Sequence, residues 1–277
     1  MNNVGRTAVL LLGVAGLFAC SAIVRAEETA QPFVNQIVID GTINPAVAEF
    51  VSETIRQSHE TGARALVIQL DTPGGLLSST RIIVKDILSA SLPIIVYVAP
   101  SGAAAASAGT FVTLSAHVAA MAPGTNIGAA HPVGAGGKEV SGVMGEKLEN
   151  FVASYGETIA RYRGRNVEWA VKAVRESEAI GASEALRLNV IDLIAANWDL
   201  LKKATGHTVE IEGKKITLAL AGVEIQLLEM RLSQKFINFV ADPNIAYFLL
   251  IAGILGLTSS SRLPNRFSRA LRERSVF

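Results

Sequence analysis

ALVIQLDTPGG, Ala65 to Gly75, is the stretch that decides how this 277-residue chain folds. Its first six residues form an apolar, β-prone run too short for a helix, so they read as a buried strand. Asp71-Thr72-Pro73-Gly74-Gly75 then turns the chain sharply. Beyond the turn, Leu76 to Ala90 is helical, and Pro93 precedes a second buried strand, Ile94 to Val98. Before it, Gln36 to Ile39 is a strand stopped by Asp40-Gly41. Pro45 opens a helix in which Val47, Phe50, Val51 and Ile55 recur at helical spacing until Thr61-Gly62. Strand and helix alternate with short connections, which predicts an α/β fold around a largely parallel sheet.

The same reading extends toward the C-terminus. His117 to Met121 is a strand, Asn126 to Val133 is extended, and Gly134 to Gly142 is a flexible glycine loop. Met144 to Tyr162 is a long amphipathic helix with Leu148, Phe151, Val152, Tyr155 and Ile159 on one face. Lys147 falls in its first turn, where the helix dipole opposes a cation. Asn166 to Arg175 is a helix, Ser183 caps a short one, and Val190 to Ile194 is a strand. Residues 27–204 are read as one domain. Residues 205–230 are read as a small β appendage around Gly213 and Gly222. An amphipathic helix from Arg231 to Ala241 and an apolar run from Ile245 to Leu257 follow. A membrane span needs about 20 apolar residues, so this run is a short anchor segment. Residues 258–277 form a basic tail with Arg262, Arg266, Arg269, Arg272 and Arg274.

Composition narrows the chemistry. Half the residues are hydrophobic and the net charge is +1, with no basic stripe for nucleic acid. The single cysteine, Cys20, excludes an internal disulfide framework and a cysteine-rich metal site. No histidine or carboxylate pair has metal-ligand spacing, no phosphate loop supports ATP binding, and no cofactor is expected. Residues 1–26 have the pattern of a secretory signal or N-terminal anchor, with Arg6, an apolar stretch and a small-residue site at Val24-Arg25-Ala26. An alternative processing site ends at Cys20, which would then carry a lipid. Either places the body of the protein outside the cytoplasm.

The candidate site begins with PSGAAAASAGT, Pro100 to Thr110. So many small residues suit a place where backbone comes close to another chain. Ser107 lies just before a helix, at the positive end of its dipole. It is either a helix cap or a nucleophile poised where an oxyanion is favoured. Gly74 and Gly75, after a buried strand, are either an ordinary turn or a source of oxyanion-binding N–H groups, and Ala108 would supply another. A serine nucleophile needs a base. Lys147 is one candidate and His131 the other; His59, His117 and His207 show no partner spacing and read as structural.

Asp71–Gly75, Gly102–Thr110 and Met121–Pro132 together resemble the nodulation-efficiency protein D (NfeD) family, over roughly Ile37 to Leu257. The resemblance implies a Clp protease/crotonase-like fold of repeated β-β-α units wound into a superhelix. It implies a membrane-bound serine endopeptidase of the Clp-protease-subunit class, active outside the cytoplasm at the inner membrane. A Ser–Lys dyad falls on Ser107 and Lys147, and an oxyanion hole on the N–H groups of Gly75 and Ala108, with Gly74 as neighbour. The implied partner or substrate is a stomatin-like membrane protein, whose apolar strand would bind beside Gly74-Gly75, and a homo-oligomer is expected. Related Clp subunits use a Ser–His–Asp triad, with His131 near the histidine position. The aspartate position falls on Ser177, between Glu176 and Glu178, which favours Lys147 over His131 as the base. Other classes compatible with these residues are a non-catalytic partner of a stomatin-like scaffold, a signal-peptide-peptidase-like enzyme and a crotonase-type acyl-CoA enzyme. The signal segment and the Ser107/Lys147 pair disfavour the last of these.

Overall fold

The structure, a computed structural model, describes residues 31–134, 137–138, 140–197, 199–241 and 243–262. The signal or anchor segment expected in 1–26, with Cys20, and the tail beyond 262 lie outside the described residues. The chain opens with β1 (Phe33–Asp40), α1 (Pro45–Glu60), β2 (Leu66–Asp71), α2 (Leu77–Leu88) and β3 (Ile94–Val98), the alternation predicted above. Two strand–strand–helix units follow. In one, β3 is succeeded by β4 (Ala104–Ala106) and α3 (Ala108–Ser115). In the other, β5 (Val118–Met121) leads to β6 (Asn126–Gly128) and α4 (Gly142–Tyr162). Next come α5 (Val167–Arg175), β7 (Ala179–Gly181), α6 (Ala182–Arg187), β8 (Leu193–Ile194) and α7 (Asp199–Ala204). The chain closes with β9 (Thr208–Ile211), β10 (Lys214–Thr217), β11 (Glu224–Leu227), α8 (Leu232–Val240) and α9 (Pro243–Arg262).

The main sheet runs β11-β1-β2-β3-β5-β8, and every neighbouring pair is parallel. Alternate residues of each strand face opposite layers. Leu66, Ile68 and Leu70 pack with Ile94, Val96 and Val98 under α1 to α5. Val67, Ile95 and Tyr97 pack on the other face against α7 and the β9–β10 hairpin. Burial on both sides explains why Ala65–Leu70 carries almost no polar residue. A second, three-stranded sheet joins β4 to β6 in parallel and β6 to β7 antiparallel. It sits beyond the C-terminal ends of β2 and β3, reached through the isolated bridge between Thr72 and Ala105.

Four local expectations are corrected. The segment read as a β appendage divides: β9 and β10 pair as a hairpin, whereas β11 joins the main sheet beside β1. That pairing uses backbone groups of residues nearly 200 positions apart, so no local pattern announces it. Ser183 does not cap α6; Gly181 precedes the helix and Ser183 lies within it. The strand expected over Val190–Ile194 shrinks to Leu193–Ile194, because the Asp192 carboxylate accepts from Ala119 N–H at 2.6 Å, ahead of the β5–β8 pairing. Helix α4 begins at Gly142, two residues before the expected start, so Lys147 stands in its second turn. There the helix dipole opposes a cation less than in the first turn.

Among the described residues no single helix is long and apolar enough to cross a membrane. Leu232–Val240 and Ile245–Thr258 pass that test only as a pair bent by 73°.

Candidate active site

The turn after β2 is clamped from within. Thr72 is fully buried; its Oγ1 accepts from Gly74 N–H and donates to Gly74 C=O, both at 3.0 Å. Its backbone spans the second sheet, with Thr72 N–H donating to Ala104 C=O and Ala106 N–H to Thr72 C=O. Asp71 Oδ1 accepts from Ala104 N–H at 3.0 Å. In the sequence Thr72 reads only as part of a turn. A threonine two residues before a glycine pair was the available signal for this side-chain turn.

Gly74 and Gly75 are glycines for separate reasons. Gly74 has φ +129°, outside the range of ordinary side chains. At Gly75 a Cβ would stand 2.1 Å from Ile43 C=O, so Ile43 excludes one. The segment is docked on Ile43 by Ile43 N–H to Gly74 C=O, 2.8 Å, and Leu76 N–H to Ile43 C=O, 2.9 Å.

Ser107 lies between β4 and α3 with φ 50° and ψ −111°. A non-glycine residue in the left-handed half of backbone space is strained, and a strand-to-helix turn of this kind thrusts a nucleophile's side chain outward. The cap reading fails: Ser107 makes no side-chain cap bond, and its Oγ has no hydrogen-bond partner among the described residues. Its N–H donates to Gly128 C=O at 3.1 Å, fixing the turn to β6. Small residues around it are required by contact. A Cβ on Gly109 would stand 2.6 Å from the Thr72 methyl group.

Ser107, Gly75 and Ala108 line one cleft of about 390 Å³ with Leu76, Leu77, Phe111 and Val152. Neither the Gly75 nor the Ala108 N–H has an acceptor among the described residues, and Ala108 opens a helix whose first N–H groups point away from its own hydrogen bonds. The chemistry available is acyl transfer: a hydroxyl and two N–H donors, unpaired among the described residues, and an apolar wall in one concavity.

The two candidate bases are set apart from this group. Lys147 is exposed on α4 and makes no hydrogen bond or ion pair among the described residues; its neighbour Leu148 lines the cleft and Lys147 does not. His131 is half-buried; its neighbours Ala130 and Pro132 line the cleft, and its Nδ1 donates to Val174 C=O at 3.0 Å. No carboxylate orients that ring among the described residues. Ser177, where a Clp-type aspartate would fall, lies between α5 and β7 with φ 54°.

His117, read as structural, is held between strand and helix: Ile94 N–H donates to its Nδ1 at 3.2 Å, and Arg163 Nη2 lies 3.3 Å from Nε2. Burial first, then the Arg163 and Arg165 charges, lowers its pKa to about 3.

The parallel core, the second sheet beyond its strand ends and the repeated β-β-α order define a Clp-protease-like α/β protein. The family described as NfeD1b, N-terminal domain, matches residues 33–230. The chain belongs to that family. It is 35% identical over 255 residues to the membrane-bound protease PH1510 of Pyrococcus horikoshii, covering 90% of this chain. It is 24% identical over 258 residues to the membrane protein NfeD1b of Bacillus subtilis, covering 91%. The chain spans 56% of the length of each of these curated relatives. Among solved structures, a lysine-to-alanine mutant of the 1510-N membrane-bound stomatin-specific protease, in complex with a substrate peptide, matches with a TM-score of 0.71 and 32% identity. That match covers 77% of this chain and 99% of the other. A serine-to-alanine mutant of the same protease matches with a TM-score of 0.67 and 33% identity, over 72% of this chain and 99% of the other.

Proposed function

We propose that this chain is the catalytic part of a membrane-associated serine endopeptidase, with Ser107 as nucleophile, Lys147 as base and the N–H groups of Gly75 and Ala108 as the oxyanion hole. The observation that carries the proposal is Ser107 itself: a strained strand-to-helix serine in a cleft with two N–H donors, its hydroxyl and both donors unpaired among the described residues. Strain of this size, about 1–3 kcal/mol, persists where the surrounding fold imposes it.

In the proposed reaction Ser107 Oγ attacks the scissile carbonyl carbon as neutral Lys147 takes its proton. The oxyanion settles between the two N–H groups, each typically worth about 3 kcal/mol in other proteases. The C–N bond breaks as Lys147 returns the proton to the leaving amine, and water then hydrolyses the acyl-enzyme. A lysine serves as a base only once desolvation favours its neutral form, so on this reading Lys147, exposed and outside the cleft lining, is brought against the bound substrate. Lys147 is preferred to His131 because no carboxylate partners His131 among the described residues; its Nδ1 bond to Val174 C=O leaves Nε2 open and does not decide between them. The related protease studied as a lysine mutant with bound peptide supports the same choice.

Its substrate, on this reading, is an apolar segment of a stomatin-like membrane protein, laid as a strand beside the exposed Gly75. The stomatin specificity of the related protease and the apolar cleft wall support this. The side exposed to the substrate is extracytoplasmic, following the leader pattern in residues 1–26.

The experiment is cleavage of an apolar peptide from a stomatin-like protein by the wild type and by Ser107→Ala, Lys147→Ala and His131→Ala. Loss of turnover in the first two with His131→Ala active supports the dyad. Turnover in Ser107→Ala removes the nucleophile, and full activity in Lys147→Ala removes the base.

A further inference from the structure

The oxyanion segment is held by a residue from the far end of the chain. Gly74 and Gly75 extend past the end of β2 and rest on Ile43 through two backbone hydrogen bonds. The Ile43 carbonyl would stand 2.1 Å from a Cβ at Gly75, so only glycine admits this docking. Ile43 is fully buried, and its successor Asn44 is 4% exposed. Asn44 uses both ends of its amide. Oδ1 accepts from Val47 N–H at 3.0 Å, capping α1, and Nδ2 donates to Asn238 Oδ1 at 2.6 Å. Asn238 belongs to α8, beyond the residues matched by the family. Helix α8 is tied to α1 a second time, through Gln234 Nε2 to Glu53 Oε2 at 3.1 Å and an Arg231–Glu53 ion pair.

We infer that Asn238 is a positioning residue for the oxyanion hole, acting through Asn44 and Ile43 on the Gly75 N–H. The inference rests on the reading of Gly75 as an oxyanion donor. Without Asn238, the buried Asn44 amide loses an acceptor, a loss that costs free energy when no water replaces it. Asn44 recovers a partner only by turning its amide, which gives up the α1 cap or shifts the backbone that carries Ile43. Because Ile43 is bonded to Gly74 and Leu76, on either side of Gly75, a shift of Ile43 moves Gly75 with it. An oxyanion donor acts in the transition state and not in substrate binding, so its displacement lowers kcat and leaves KM in place.

The test uses the full chain with an internally quenched apolar peptide and a peptide aldehyde that mimics the tetrahedral intermediate. Asn238→Ala is expected to lower kcat on the order of tenfold, as for a sub-ångström misplacement. KM stays unchanged, and aldehyde affinity weakens by the same factor. Asn44→Asp keeps the cap and lets the Asn238 amide, turned over, donate to it; this variant stays within about twofold of wild type if only the link matters. Amide exchange at Leu76, bonded to Ile43, reads the same displacement without catalysis and is expected to quicken in Asn238→Ala. Faster exchange at Leu76 in Asn238→Ala, with a wild type that does not cleave, leaves the mechanical link standing and overturns the oxyanion reading. A wild type that cleaves, with Asn238→Ala unchanged in kcat and in Leu76 exchange, overturns the link. So does a kcat loss that matches the unfolded fraction seen by circular dichroism.

Discussion

Gly74 lies directly against Ser107: a Cβ on Gly74 would stand 2.8 Å from Ser107 Cβ and 3.1 Å from Ser107 Oγ. The glycine turn and the serine turn therefore form one contact, although 33 positions separate them in the chain. Gly74→Ala meets two obstacles at once, φ +129° and the serine side chain. Backbone strain alone costs about 1–3 kcal/mol. The variant is expected to melt lower than wild type and to lose at least about 100-fold in kcat, the cost of a misplaced catalytic geometry. Steady-state kinetics on folded protein check this; a variant with wild-type kcat would separate the two turns functionally.

The strain at Ser107 has its own signature. Ser107→Ala keeps the positive φ, whereas Ser107→Gly accepts it freely. Both are expected to be inactive, but the glycine variant should be the more stable of the two, by about 1 kcal/mol. For a protein of this size that is a melting difference of about 2–4 °C. Paired calorimetric scans decide it, and equal or reversed melting temperatures would contradict the strain.

Stability should fall in acid through His117. Its Nδ1 already accepts from Ile94 N–H, so a second proton would break that bond and place a cation beside Arg163. The folded pKa, near 3, lies below the ordinary value of 6.5. The unfolded chain thus binds more protons in between, and the contribution is complete above about pH 6.5 and is lost as pH falls toward 3. One such proton changes the folding equilibrium by up to about tenfold per pH unit. His117→Asn, which keeps an acceptor for Ile94 N–H, should flatten this part of a urea-denaturation series run from pH 7 to pH 4.

Arg165 is the buried brace behind α3. Its side chain is 3% exposed and donates to Leu114 C=O, Ala116 C=O and Val190 C=O while pairing with Asp192 at 2.8 Å. Removing it strands buried carbonyls and leaves the partly exposed Asp192 carboxylate unpaired, and an unsatisfied buried acceptor typically costs about 1–3 kcal/mol. Arg165→Ala is expected to lose about that much in urea unfolding. Asp192→Asn, which can still accept from Ala119 N–H, should lose less. Equal losses would place the energy in the carboxylate rather than in the carbonyls.

How much of this was legible beforehand depended on range. Ala65–Leu70 and Ile94–Val98 declare themselves as buried strands because both faces of a parallel sheet are covered, and Asp71–Gly75 declares a turn because Pro and Gly act within their own few residues. The candidates Ser107, Gly74, Gly75 and Ala108 were found the same way, from small residues beside apolar runs and from the family resemblance. Distances between them were not: that Ser107 is strained, that its hydroxyl caps nothing and that Gly74 is its neighbour all depend on how β4 lies against the Thr72 turn. The edge strand β11 stayed hidden because its four residues are mostly exposed and pair through backbone alone. Sequence by itself thus determined the α/β class, the order of elements and the residue types available for acyl transfer, since these follow from local burial patterns and turn chemistry. Only the tertiary structure decided which of those residues share a cleft and which, like Lys147 and His131, stand beside it. It also decided that Asn238 reaches Asn44, because that contact is made by packing between elements 194 positions apart, where no local preference of the chain operates.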